Sequence, residues 1–358
     1  MKPMARILTI VFLLAASGPT PKASPLFDDD SSLALTIEAP VRELTRKRLK
    51  KSEYDAVVRY TDSSGHEHVL QGRLTSRGNA RLEACDFPPL RLEFHKSDTE
   101  GTVFEGQKRL KMVTQCNRKS DAEKWLLQEL GIYRAYNVLT DYSYRARRLD
   151  VTYIDSQSSR WQKNQPAFFI ESTDEVAERL NLASIRPPRI EPAQFNRAEL
   201  SKNLLFQMLI ANTDFSVKKG PSGEGCCHNG RVLTQPGAQK DWIVVPYDFD
   251  QAGLISTDYA LPDERLGIRS VGNRLYRGFC WQADSLPDTI NLFRERREAI
   301  TSALIPAELS ATRQSRMRRF IDRFFGILDD PEELQKRITD KCRGADTFPV
   351  RKTTTPGN

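Results

Sequence analysis

Histidine, methionine and tryptophan are scarce here, at four, five and four among 358 residues. The chain also lacks a GxxxxGK[ST] phosphate loop, a GxSxG nucleophile elbow and an HExxH zinc motif, which removes three large enzyme classes. His66, His68 and His95 stand apart on strand-like segments, where surface or core packing explains them. No internal repeat occurs, so a solenoid or propeller is excluded. After the N-terminus no apolar run is long enough to cross a bilayer.

With 39% hydrophobic residues the chain can bury a sizeable core. Its net charge of +7 favours anionic partners without choosing among them. Residues 1–23 read as an export signal: Lys2 and Arg6 give a basic start, Ile7 to Ala16 an apolar stretch, and Ala15-Ala16-Ser17 or Lys22-Ala23 a small-residue end. A retained signal-anchor is the alternative. The mature protein is expected to be soluble and extracytoplasmic, with no stable membrane span. Six cysteines in an exported chain argue for disulfides. Cys85 and Cys116 bracket a strand-rich segment and are expected to pair. Cys226-Cys227-His228 reads either as the start of a zinc site or, preferably, as disulfides to Cys280 and Cys342.

Beyond the export signal, residues 24–190 are expected to form a β-rich N-terminal part and 191–345 a helical C-terminal part, with a disordered tail over 346–358. Alternation predicts strands over Ala56 to Tyr60, Val69 to Leu74, Leu90 to Phe94 and Leu110 to Val113, together a curled antiparallel sheet. Asp121 to Leu139 reads as a helix in which Trp125, Glu129, Ile132, Tyr133 and Tyr136 share one face. A carboxylate on an apolar face requires a partner, and Lys111 or Arg91 on the preceding strands can supply it. The pair is either purely architectural or a phosphate-holding device. Another strand is expected over Arg147 to Ile154, a polar turn over Ser156 to Asn164, and a strand over Phe168 to Glu171 that ends in an acid. A helix near Thr173 to Leu180 and a proline-rich joint from Ile185 to Pro192 follow.

The strongest functional signal lies in three polar clusters. Asn212-Thr213-Asp214 follows a helix over Asn196 to Ala211, His228-Asn229 comes next, and Tyr247-Asp248-Phe249-Asp250 succeeds the apolar run Trp242 to Val245. An acid, an amide and further acids in that order suit Mg-dependent phosphoryl transfer, which needs a carboxylate beside the attacking hydroxyl and oxygen ligands for metal-bound phosphates. Lys218 to Gly225 is a glycine-rich basic loop, read either as a surface insertion or as a contact for phosphate or substrate. Arg294, Arg296, Arg297, Arg316, Arg318 and Arg319, on the helices over Leu292 to Leu304 and Ala311 to Leu328, read as a solvated face.

Arg77-Gly78-Asn79, the strand pair through Lys111, the helix carrying Glu129 and the three polar clusters together resemble the spore-coat protein H (CotH) kinase family over about residues 70 to 255. That resemblance implies an α+β, two-lobed, protein-kinase-like fold, with an N-terminal antiparallel sheet and one helix below a mainly helical C-terminal lobe. It implies ATP with Mg or Mn as cofactors and Ser or Thr hydroxyls of a protein as acceptor; no nucleic-acid partner is expected. Carried over by position, Asp214 is the catalytic acid, Asn229, Asp248 and Asp250 hold the metal, and Lys111, Glu129, Arg91 and Glu171 are the nucleotide-site residues. Two other classes stay open: a Mg-dependent phosphohydrolase or nuclease, and a non-catalytic binding module.

Overall fold

The computed structural model describes residues 25–117 and 121–344; the expected export signal over 1–23 and the expected disordered tail over 346–358 lie outside the described residues. Strands β1 (Leu33–Ala39), β2 (Glu53–Thr61), β3 (Glu67–Ser76), β4 (Leu90–Phe94) and β5 (Arg109–Thr114) are followed by helix α3 (Ala122–Leu139) and by β6 (Ala146–Asp155) and β7 (Ser158–Ile170). Short helices α1 (Val41–Arg46) and α2 (Ala80–Ala84) interrupt the run of strands. The seven strands close into a barrel in the order β1-β2-β3-β4-β5-β7-β6, with β6 returning to β1 in parallel and every other pair antiparallel.

This overturns the two-lobed, protein-kinase-like expectation with its curled antiparallel N-terminal sheet and one helix. The physical cause lies beyond α3: β7 pairs with β5 and β6 pairs with β1, so both edges that would have stayed open are sealed. The stretch expected as a polar turn over Ser156 to Asn164 belongs mostly to β7. Its polar residues alternate with inward ones: Asn164 is exposed opposite half-buried Thr152, while the neighbouring pair puts Lys163 opposite Tyr153, which is buried in the barrel.

Period-two alternation fills the barrel from within. Leu90, Leu92, Leu110, Met112, Ala167 and Phe169 are buried in the barrel core with Leu35, Ile37, Val58 and Tyr153. Residues one step out of phase, Val113, Phe168 and Ile170, belong instead to a second core outside the barrel. That second core unites α3, α4 (Thr173–Arg179), α5 (Arg197–Leu209), α6 (Leu286–Glu295), α7 (Arg297–Leu304), α8 (Ala311–Asp329) and a small sheet of β8 (Ala183–Ile185), β9 (Gly230–Thr234) and β10 (Ile243–Pro246). Helix α9 (Pro331–Arg337) follows α8.

Local chemistry sets the boundaries. Ser172 and Glu175 form a reciprocal cap at α4. Asn196 caps α5 and Asp330 caps α9. Gly131 of α3 sits so close to α7 that a Cβ there would lie 2.8 Å from the Ala303 carbonyl oxygen. The arginines of the C-terminal helices are not all solvated: Arg297 reaches Asp322 and Asp329, each at 3.2 Å, and Arg294 donates to the Leu328 carbonyl.

Cys85 pairs with Cys116 as expected, at an S–S distance of 2.07 Å. Cys226 and Cys227 bond to each other, however, and Cys280 bonds to Cys342. The expected links from the Cys226-Cys227 pair to Cys280 and Cys342 are therefore corrected. Phe279 and Arg343 lie side by side in extended backbone, which brings Cys280 against Cys342 instead. Among the described residues no helix is long and apolar enough to cross a membrane.

Candidate functional site

Between the outer wall of the barrel and the second core lies a cavity of about 350 Å³. Lys111, Glu129, Asp214, Asn229, Asp248 and Asp250 all line it, although they come from a strand, a helix and three loops. Arg91 and Glu171 do not. Arg91 stands opposite Lys111 on β4, 3.9 Å from Glu93. Glu171 is buried against Arg179 at 3.0 Å and accepts the Arg145 backbone N–H, an architectural pairing.

Lys111 reaches the cavity because Leu110 and Met112 take the barrel interior, which turns the residue between them outward. Its Nζ lies 5.2 Å from the Tyr247 ring centroid and 6.0 Å from that of Tyr144. Arg231 covers Tyr247 as well, at 4.8 Å. Burial, with Arg77 and Arg231 nearby, lowers Lys111 from its ordinary 10.5 to about 8. Burial also lowers Arg77, with Asp248 opposing the shift. Among the described residues, neither Lys111 nor Arg77 has a carboxylate within salt-bridge distance.

Glu129 has a partner that the sequence did not disclose. Arg81, on the five-residue helix α2, donates to Glu129 at 2.6 Å and to Asp250 at 2.7 Å. Lys111 and Arg91 are thus not the pair of the helix acid. Burial works against the Arg81 charge, but Asp250 and Glu129 more than offset it and hold the guanidinium well above its usual value. Burial raises Glu129, with Arg81 pulling the other way. Asp250 receives Tyr259 Oη at 3.1 Å too, so this acid is committed to neighbours. The Cys85–Cys116 disulfide begins one residue after α2 and fixes the helix that carries Arg81. A lone arginine beside Arg77-Gly78-Asn79 offered no periodic signal.

Asp248 is different. Its backbone N–H donates to Tyr133 Oη at 3.0 Å, while no hydrogen bond among the described residues engages its carboxylate. Burial raises its pKa, helped by Asp250 and opposed by Arg81 and Arg77. Phe249 points the other way, fully buried against Tyr133 and Phe206, and so anchors the loop between the two acids. Glu129 and Tyr133 lie four residues apart on α3, one turn, so a single helix face meets both ends of this loop.

Asp214 accepts from both neighbours of the second cluster. His228 Nε2 lies 2.7 Å from its Oδ1, and Asn229 Nδ2 donates to Oδ2 at 2.9 Å and to the Asp214 carbonyl at 2.7 Å. With Nδ2 so engaged, the Asn229 Oδ1 remains as the acceptor of that amide. The bond to Asp214 raises the His228 pKa. Asn212 is structural: its Oδ1 accepts the Asp214 N–H at 3.0 Å and so closes the turn after α5. Asn229 and Asp248 both hold positive φ, 51° and 63°, backbone that asparagine and aspartate tolerate best among side-chain-bearing residues. Such strain concentrates at functional sites. Cys227, bonded to Cys226, forms part of the cavity wall beside His228.

Among the described residues no three or more His, Cys, Asp or Glu side chains group closely enough to hold a metal ion by themselves. Magnesium asks for less, since it commonly takes one or two carboxylates and completes its shell with waters and substrate phosphates. The unengaged Asp248 carboxylate and the Asn229 Oδ1 fit that pattern; the committed Asp250 fits it poorly. Compared with protein-family models, with curated proteins and with solved structures, the chain matches none of them.

Proposed function

We propose that the cavity binds the polyphosphate of ATP together with Mg²⁺ or Mn²⁺ and supports transfer of the terminal phosphoryl group to a Ser or Thr hydroxyl of a protein. One observation carries this reading: Lys111 and Arg77, cations without ion pairs among the described residues, share a cavity with Asp248, whose carboxylate has no hydrogen-bond partner among them. Buried charges left apart are costly, and a metal-bound polyphosphate supplies partners of both signs. The resemblance of the site motifs to the spore-coat protein H kinase family supports the same chemistry at the level of these residues.

Lys111 and Arg77 bind phosphate oxygens, with Arg231 and the Tyr144 and Tyr247 rings shaping that wall. Asp248 and the Asn229 Oδ1 hold the metal, which when bound neutralises charge on the phosphates. Asp214 orients the acceptor hydroxyl and takes its proton, steadied by His228 and Asn229. Arg81 positions Glu129 and Asp250 without touching substrate. The expected export signal and the three disulfides among the described residues are compatible with an extracytoplasmic setting for this activity.

Calorimetric titration of ATP with Mn²⁺ is expected to show binding by the wild type, loss of binding in Asp248→Asn, and retained binding without labelled-phosphate transfer to a Ser/Thr peptide pool in Asp214→Asn. Absence of wild-type binding, or full transfer by Asp214→Asn, refutes the proposal. Phosphate release without a labelled acceptor identifies a phosphohydrolase instead. Thermal stabilisation by Mg²⁺ alone, unchanged by ATP, identifies a non-catalytic module.

A further inference from the structure

A second cavity, of about 260 Å³, lies behind the loop that carries Asp214. Arg189, Lys218, Lys219, Arg277 and Arg343 line it, and no carboxylate does. Arg189 alone among these has an ion pair among the described residues, to Glu191 at 2.8 Å, and both partners are largely exposed. Five like charges around one concavity repel one another, and Arg343 helps to hold Arg277 down, to about 10, after burial.

Three of these cations, Arg277, Arg343 and Lys218, are held in place, whereas Arg189 and Lys219 are exposed at the rim. Arg277 donates to the carbonyls of Thr213 at 2.7 Å and Phe215 at 2.8 Å, and its guanidinium lies 4.5 Å from the Phe215 ring centroid. Arg343 and Lys218 both lie over Phe279, at 4.4 Å and 5.7 Å. The Cys280–Cys342 disulfide and the paired backbones of Phe279 and Arg343 tie that corner together. Preorganised donors lose little freedom on binding, which favours a specific ligand over a diffuse ion cloud. Here the basic loop from Lys218 onward has a structural place.

We infer that this basic, aromatic-walled cavity binds a polypeptide segment carrying consecutive acidic side chains. A concavity of this size takes one or two carboxylate side chains, whereas a flat bilayer meets only the exposed rim. The aromatic walls favour the apolar stems of such side chains, with the charge directed to the arginines. Arg277 straddles Asp214 through the carbonyls on either side of it, so a docked segment lies within a short stretch of backbone of the candidate catalytic acid. Binding at this cavity requires neither nucleotide nor metal and stands apart from the phosphoryl-transfer reading.

The test is fluorescence polarisation, without nucleotide or divalent metal, using a fluorescein-labelled peptide with a run of glutamates and the same peptide with glutamines. The wild type is expected to bind the glutamate peptide, about tenfold more tightly than the glutamine peptide, with affinity falling as salt rises. Lys218→Glu/Lys219→Glu is expected to weaken binding by about tenfold or more, and the exposed Arg189→Glu by less, while Asp248→Asn leaves it unchanged. An unshifted thermal transition shows that the variants are folded. Equal affinity for the two peptides, indifference to charge reversal, or binding only of inorganic phosphate or of phosphatidylglycerol vesicles overturns the inference.

Discussion

Replacing Lys111 by methionine separates stability from binding. Burial has moved this ammonium from 10.5 to about 8, and at about 1.4 kcal/mol per pH unit the charge costs the folded state on the order of 3 kcal/mol at neutral pH. Methionine removes the charge at similar volume but also forfeits the two cation–π contacts, each worth about 0.5–1 kcal/mol. Lys111→Met is therefore expected to be more stable than the wild type by about 2 kcal/mol at pH 7. The pH dependence has a definite sign. Because the folded pKa lies below the unfolded one, the unfolded chain binds more protons between about pH 8 and 10.5, and wild-type stability rises across that window. The advantage of Lys111→Met is accordingly full below about pH 8 and gone above about 10.5. Urea unfolding at several pH values, with disulfides intact, measures it through the midpoint. The same variant is expected to lose ATP–Mn²⁺ binding, a gain in stability at the expense of function. A destabilised Lys111→Met at pH 7, or one whose pH profile parallels the wild type, refutes the reasoning.

Arg81→Met leaves Glu129 and Asp250 buried without their shared partner and is expected to cost about 3–5 kcal/mol in urea unfolding, with part recovered in acid; a loss below about 1 kcal/mol contradicts the described pairing. Gly131→Ala gains about 1 kcal/mol of helix propensity but drives a methyl against the Ala303 carbonyl. Overpacking of about 1–3 kcal/mol should prevail, and a raised Tm would show that α3 and α7 are farther apart. His228, its pKa raised above 6.5 by Asp214, contributes stability that is fully present below that value and lost as pH rises through the folded pKa. NMR titration should find the imidazole above 6.5 in the wild type and closer to it in Asp214→Asn; equal values would remove the pair.

Local pattern revealed the pieces more readily than their closure. Leu90–Phe94 alternates cleanly, and Ala122–Leu139 announces itself through its apolar stripe, because each element depends on neighbours a few residues away. The barrel depends on Leu33–Ala39 meeting Ala146–Asp155 across more than a hundred residues, a pairing that no local periodicity encodes. The site shows the same divide. Asp214, Asn229 and Asp248 were visible as polar clusters after apolar runs, whereas Arg81 depends on a five-residue helix whose burial is created by groups distant in sequence. The adjacent pair Cys226-Cys227 likewise gave no hint that each was the other's partner.

Sealing seven strands into a ring removes the free rims through which sheets recruit foreign strands. Among the described residues, only the outer strands of the small sheet, β8 and β10, present such rims. β10 is buried throughout, and β8 is three residues long and runs into Arg186-Pro187-Pro188, where prolines lack the donor that a growing ladder needs. The described residues of this chain thus offer a second copy almost no template for intermolecular β-assembly, even when crowded.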